Sequence, residues 1–186
     1  LSDIHPNFSA ERANSFLEGT DVKQGALIGN LSKGMLAQLH LAVVLAIDAR
    51  LLVLDEPTLG LDITYRKRFY RRILEDYMTA ERTILITTHQ VDEIEFMLTD
   101  IMFIRDGGLV LHMPTEQLPA RFTQLVVASD KADAARALHP VFGESRFGQT
   151  VFVYDSVDRA ALDGLGTVST PTLSDLLVAL MSRESG

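Results

Sequence analysis

An α/β fold is predicted for this chain of 186 residues: a parallel sheet with flanking helices and an antiparallel edge hairpin, followed by a small α/β accessory domain. Three observations predict it. Apolar runs at residues 51–54 and 83–87 are separated by a charged stretch of helical spacing, the strand–helix–strand alternation of a parallel sheet. Asp106-Gly107-Gly108 between the apolar segments 101–104 and 109–112 is a hairpin signal. With 47% apolar residues, the chain can fill one medium core or two small ones.

The elements follow in order. Residues 1 to about 30 read as one or two short helices, with turns at His5-Pro6-Asn7 and Gly25 and only Phe8, Phe16 and Leu17 as bulky anchors. Ser32 is a good N-cap, and Leu36, Leu39, Val43, Ala46 and Ile47 recur at helical spacing behind it. The unbroken apolar run 51–54 suits a strand covered on both faces, closed by Pro57. Residues 65–78 form a charged helix with the basic run Arg66-Lys67-Arg68, 83–87 a second buried strand, and 89–98 an acidic helix. The hairpin comes next, and residues 114–119 read as a connector. Beyond it the pattern is strand 122–128, helix 131–138, strand 150–154, helix 158–162, a short strand near Thr167 and a helix 174–181. The domain boundaries are therefore 1–113, the connector 114–119, and an accessory α/β domain 120–186.

Bulk properties exclude several classes. A net charge of −8 argues against a duplex nucleic-acid binder, so no direct nucleic-acid partner is expected. Zero cysteines removes disulfides and thiolate metal sites. The most apolar stretch, 36–47, is interrupted by Gln38 and His40, and no run approaches the roughly 18–20 apolar residues needed to span a bilayer. No secretory leader is legible at Leu1, and the sequence reads as beginning inside a longer protein.

Two places carry chemistry. Leu31-Ser32-Lys33-Gly34-Met35 sets a hydroxyl, a cation and a glycine at a helix start, where unpaired N–H groups and the positive dipole end attract anions. Lys33 opposes that dipole by roughly 0.3–1 kcal/mol unless an anion is bound. The second place is the carboxyl end of the strand 51–54, which delivers Asp55 and Glu56 to the sheet edge where ligands bind. His89 follows the strand 83–87, and parallel pairing would bring its imidazole to that same edge.

The ordered series Leu31-Ser32-Lys33-Gly34-Met35, Leu51-Leu52-Val53-Leu54-Asp55-Glu56-Pro57, Leu61-Asp62, Thr88-His89 resembles the second half of an ABC-type ATPase nucleotide-binding domain. The gaps fit it as well. Ser32 to Asp55 is 23 residues, room for a helix and a strand, and Asp55 to His89 is 34. The resemblance covers about residues 31–108 and implies a partial P-loop-NTPase-like sheet. It makes 32–35 the signature motif, Asp55 and Glu56 the end of Walker B, Asp62 the D-loop aspartate and His89 the switch histidine. Lys33 and Met35 depart from the family's Leu-Ser-Gly-Gly-Gln, and Met35 cannot complete a capping box.

On this resemblance Ser32, Lys33, Gly34, Met35 and Asp62 bind nucleotide, Asp55 orients Mg²⁺ through water, and Glu56 and His89 are catalytic. The implied cofactors are ATP and Mg²⁺. The implied partners are a second ATPase subunit, paired head to tail, and a transmembrane permease on a separate chain. The implied location is the cytoplasmic face of the cell membrane. The wording around the signature and Thr88-His89-Gln90-Val91-Asp92-Glu93 is similar to bacterial exporters of the ABC-2 kind. The sequence contains no Gly-x-x-x-x-Gly-Lys-Ser/Thr, because Met35 stands where the lysine should follow Gly29 and Gly34. Gln24 is too close to the signature to be the family's Q-loop residue. The polypeptide is therefore expected not to hydrolyse ATP alone. Soluble family members acting on ribosomes or DNA, and a non-enzymatic dimerisation or regulatory module, are the alternative readings.

Overall fold

The structure is a computed structural model that describes residues 5–79 and 81–182. The outermost parts of the predicted segments 1–30 and 120–186 lie outside the described residues. The chain divides into two compact units, Leu1–His89 and Gln90–Gly186.

In the first unit, helix α1 (Ala10–Leu17) starts at Ser9, whose hydroxyl accepts from the Arg12 N–H at 3.2 Å. Helix α2 (Lys33–Leu45) starts at Ser32, and helix α3 (Ile63–Arg72) starts at Asp62 and runs on through a wider turn, Ile73–Tyr77. Phe16, Leu41, Leu45, Tyr65 and Phe69 line one cleft among these helices, and Tyr70, Ile73 and Tyr77 are fully buried. Arg68 and Arg72 of α3 donate to the carbonyls of Gly19 and Ser15, satisfying acceptors beyond and at the end of α1.

Strands β1 (Leu51–Asp55) and β2 (Thr83–Thr87) pair in parallel with no register slip. The sequence led us to expect both covered on two faces. Instead β1 alternates: Leu52 and Leu54 are buried, whereas Leu51 and Val53 are 58% and 57% exposed, and Leu85 of β2 is 39% exposed. An all-apolar run cannot by itself report which face finds a partner.

The second unit begins with another difference. Residues 89–98 form no α-helix but two 3₁₀ turns, Val91–Glu93 and Glu95–Met97. Strands β3 (Asp100–Arg105) and β4 (Gly108–Pro114) form the predicted hairpin. Asp106 and Gly107 both have positive φ (51° and 77°), as the two central residues of a type I′ turn require. This hairpin is a two-stranded sheet of its own, not hydrogen-bonded to β1 or β2.

A short 3₁₀ turn (Thr115–Gln117) and helix α4 (Leu118–Arg121) lead to strand β5 (Phe122–Ala128). Helix α5 (Ala132–Arg136), strands β6 (Phe142–Arg146) and β7 (Gln149–Asp155), a 3₁₀ turn (Arg159–Leu162), strand β8 (Thr167–Ser169) and helix α6 (Leu173–Met181) follow. The sheet order is β6-β7-β5-β8, all antiparallel: a split β-α-β arrangement whose second crossover is reduced to the 3₁₀ turn. Strand β6 is absent from the sequence reading because it is a polar edge strand, Phe-Gly-Glu-Ser-Arg, without apolar alternation. Gly166 is dictated by close approach, since a Cβ there would lie 2.1 Å from the Val126 carbonyl oxygen.

The compact units meet in sequence at His89/Gln90, whereas the sequence placed the boundary at residues 114–119. Packing explains the shift. One core joins Ile101, Phe103, Leu111 and Met113 of the hairpin to Phe122, Val153 and α6, and Leu118, inside the expected connector, is buried in it.

Candidate functional site

The register of β1 and β2 builds the site. Asp55 lies opposite Thr87, so the residues that leave the two strands at their carboxyl ends, Glu56, Thr88 and His89, emerge side by side. The Glu56 N–H donates to the Thr87 carbonyl at 3.0 Å, extending the ladder one residue past the strand. Glu56 adopts φ 42°, a left-handed conformation that costs a non-glycine residue on the order of 1–3 kcal/mol and clusters at functional sites.

That turn brings the Glu56 carboxylate onto His89. Oε1 accepts from the His89 backbone N–H at 3.0 Å and lies 2.7 Å from His89 Nδ1, while the Thr88 hydroxyl donates to Oε2 at 3.3 Å. A carboxylate oxygen at that distance requires the proton on Nδ1, which fixes the ring's orientation. The His89 bond, assisted by its charge and its N–H, holds the Glu56 carboxyl below its ordinary value near 4.5, against the opposing effect of burial. The Glu56 side chain is 33% exposed and that of His89 65%, so the pair faces solvent.

Asp55 is exposed and accepts from the Thr87 hydroxyl. A single exposed carboxylate beside a hydroxyl is a hard oxygen donor set of the kind Mg²⁺ uses when water and phosphate complete its shell. Among the described residues no group of three or more metal-ligating side chains gathers. The Thr87 and Thr88 hydroxyls are the site groups that sequence reasoning missed. The sequence shows only that two threonines directly precede His89, and it is the register that sets Thr87 opposite Asp55.

The loop after Glu56 is anchored from below. Thr58 is buried and its hydroxyl pairs with Tyr70 Oη at 3.0 Å, and Leu61 is buried. Asp62 then caps α3, its Oδ1 accepting from the N–H groups of Thr64 (2.9 Å) and Tyr65 (3.0 Å).

Residues 32–35 stand apart from this cluster. Ser32 Oγ accepts from the Met35 N–H at 3.2 Å, Lys33 is exposed, and none of the four makes a hydrogen bond to Asp55, Glu56 or His89 among the described residues. Gly34 occupies ordinary helical backbone with only Ser32 Oγ, at 3.9 Å, near a built Cβ. The fold itself does not require glycine there.

Residues 1–95 match the family model described as "AAA domain, putative AbiEii toxin, Type IV TA system". The Nod factor export ATP-binding protein I of Rhizobium meliloti is 31% identical over 174 residues, covering 87% of this chain and 52% of that protein. A fluoroquinolones export ATP-binding protein of Mycobacterium tuberculosis is 36% identical over 118 residues, 63% of this chain and 39% of that protein. The chain belongs to the ABC-type ATPase nucleotide-binding domains. It spans about half or less of the length of these curated relatives. The ABC-type fold is also that of a solved structure titled a "putative Cobalt transport ATP-binding protein (cbiO-2)", with a TM-score of 0.51, 17% identity, and coverage of 79% of this chain and 53% of that one. No helix among the described residues is long and apolar enough to cross a membrane.

Proposed function

We propose that this chain is part of the ATP-hydrolysing subunit of an ABC exporter, with Glu56 as the base that activates water. The observation that carries the reading is the Glu56 carboxylate, turned by a left-handed backbone onto His89 beside Asp55. Oε1 takes two His89 donors and Oε2 the Thr88 hydroxyl at 3.3 Å, so Oε2, the less engaged of the two, is the oxygen that accepts the water's proton. With Nδ1 bound to Glu56, the imidazole reaches a phosphate oxygen through Nε2, and it donates there only when doubly protonated. Asp55 would hold Mg²⁺ through water, and the cation, when bound, neutralises phosphate charge.

The relatives' names, which describe export ATP-binding proteins, favour the transporter over the soluble members of the family. In this reading the partners are a permease on another chain and a second copy of the ATPase. Ser32, Lys33, Gly34 and Met35 present helix N–H groups and a cation to the partner's nucleotide, Asp62 lies at that interface, and the protein works at the cytoplasmic face of the membrane. The polypeptide has no P-loop sequence, so on its own it binds ATP weakly and does not turn it over. In the intact protein, Glu56→Gln keeps ATP binding and lowers Mg²⁺-dependent hydrolysis by about 10²-fold or more. An unchanged rate would remove Glu56 from the base role.

A further inference from the structure

Strand β6 ends the four-stranded sheet, and no strand pairs with its outer edge among the described residues. It turns into β7 through the two residues Phe147 and Gly148, both with positive φ (52° and 77°). In such a hairpin the flanking pair, here Arg146 and Gln149, exchanges hydrogen bonds. By alternation Phe142 and Glu144 also turn their backbone groups to β7, and Gly143 and Ser145 turn theirs to the free edge. A free edge of this kind is a template for another strand.

The side chains along it suit a second copy of itself. Glu144 and Arg146 stand two residues apart on one face of the strand, with Arg146 Nη2 donating to Glu144 Oε2 at 2.6 Å. Two copies of β6 run antiparallel about Ser145 set each Glu144 opposite the other copy's Arg146, as non-hydrogen-bonded pairs whose side chains lie closest. Sliding one strand by two residues instead sets Glu144 on Glu144 or Arg146 on Arg146, so charge selects the register. The same register brings Phe147 beside Gly143 of the other copy. At Gly143 a Cβ would lie 2.7 Å from the Phe152 ring, so no side chain can rise from the edge there. An aromatic ring across from an edge glycine is a pairing that stabilises sheets. In the single chain the Phe147 ring stands wholly in water, on a left-handed φ that Asn or Gly adopts readily and a bulky residue does not. The opposite edge, β8, has only Thr-Val-Ser, with no charge to set a register.

We propose that β6 is a homotypic edge: two copies of this chain join their C-terminal units by antiparallel β6–β6 pairing centred on Ser145, with Glu144 facing Arg146 and Phe147 covering Gly143. The contact uses no residue of the candidate site and needs no nucleotide, so it is separate from the ATP-dependent pairing proposed above. Five-residue strands bury little area, and the dimer is expected to be weak and concentration-dependent.

The test uses the full 186-residue chain without nucleotide, in which an introduced thiol is the only one because the sequence has no cysteine. Opposed residues of an antiparallel hydrogen-bonded pair lie about 5.5 Å apart at Cα, within disulfide reach. Ser145→Cys is expected to give a disulfide-linked dimer on mild oxidation, and Ser169→Cys on β8 to stay monomeric. In sedimentation velocity, Glu144→Arg and Arg146→Glu alone should each weaken association about tenfold or more, because like charges then face each other. An equimolar mixture of the two should restore it, since each chain meets its opposite. Phe147→Asn should weaken association while leaving the single chain at least as stable, because Asn suits the turn. The proposal is overturned if Ser169→Cys cross-links and Ser145→Cys does not, or if the charge-reversed mixture associates no better than its components. No readout involves hydrolysis, so failure here leaves the base role of Glu56 standing, and the reverse also holds.

Discussion

The two units differ in how they use their sheets. The first, Leu1–His89, rests its chemistry on two parallel strands with one face bare, Leu51 and Val53 being more than half exposed. The second, Gln90–Gly186, buries both faces of the central strands: Leu125, Val127, Phe152 and Tyr154 on one side, Phe122 and Val153 on the other. None of the candidate site residues lies among the core residues of the four-stranded sheet. In the first unit the strand register, the Glu56 turn and the Thr58–Tyr70 bond are concentrated where the carboxylates sit, while its helices bury Tyr70, Ile73 and Tyr77. A site can thus be held firmly by a few strand-end contacts while the sheet beneath it stays thin.

Three measurements break or sharpen this contrast. The largest effect belongs to the closed core: Phe152→Ala is expected to destabilise the second unit by about 3–5 kcal/mol, because a fully buried ring is replaced by a cavity. Denaturant unfolding followed by residue-specific NMR should show β5 and β7 lost early while the β1–β2 amides keep their midpoint. A common shift of both units would mean they unfold as one.

A smaller effect concerns pH. Glu56 has its folded carboxyl lowered, so the stability it contributes is present above its ordinary value near 4.5 and is lost as pH falls through the folded value. Glu56→Gln should therefore lower stability on the neutral side and flatten the acid limb below about pH 4.5, where the two profiles converge. A profile as steep as the wild type's would show that the His89 bond contributes nothing in solution.

The smallest effect tests the bare face. Val53→Lys, at a position 57% exposed, should change stability by no more than about 0.5 kcal/mol. A loss well above 1 kcal/mol, or a change in mass by light scattering, would reveal that something covers this face in solution.

Much of the site was legible early because its parts sit at strand ends. Asp55-Glu56 and Thr88-His89 each close an apolar run, and parallel pairing brings such ends together whatever the intervening helix contains. The threonine hydroxyls went unassigned because threonine in a strand is ordinary, and only register made Thr87 a partner of Asp55. The segment 89–98 read as a helix from its acidic composition, yet Ile94 and Met97 are buried at spacings that two 3₁₀ turns serve as well. Strand β6 escaped because an edge strand needs no apolar alternation.

By itself, then, the sequence determined the α/β class, the positions of most strands and the family's ordered motifs, because strand runs, caps and turn dipeptides are local signals. Only the tertiary structure decided which face of β1 is covered, that the hairpin joins the second unit, that Glu56 turns back onto His89, and that α6 packs with Val91. Those outcomes depend on contacts between residues far apart in the chain. No local pattern encodes which of several apolar surfaces will meet.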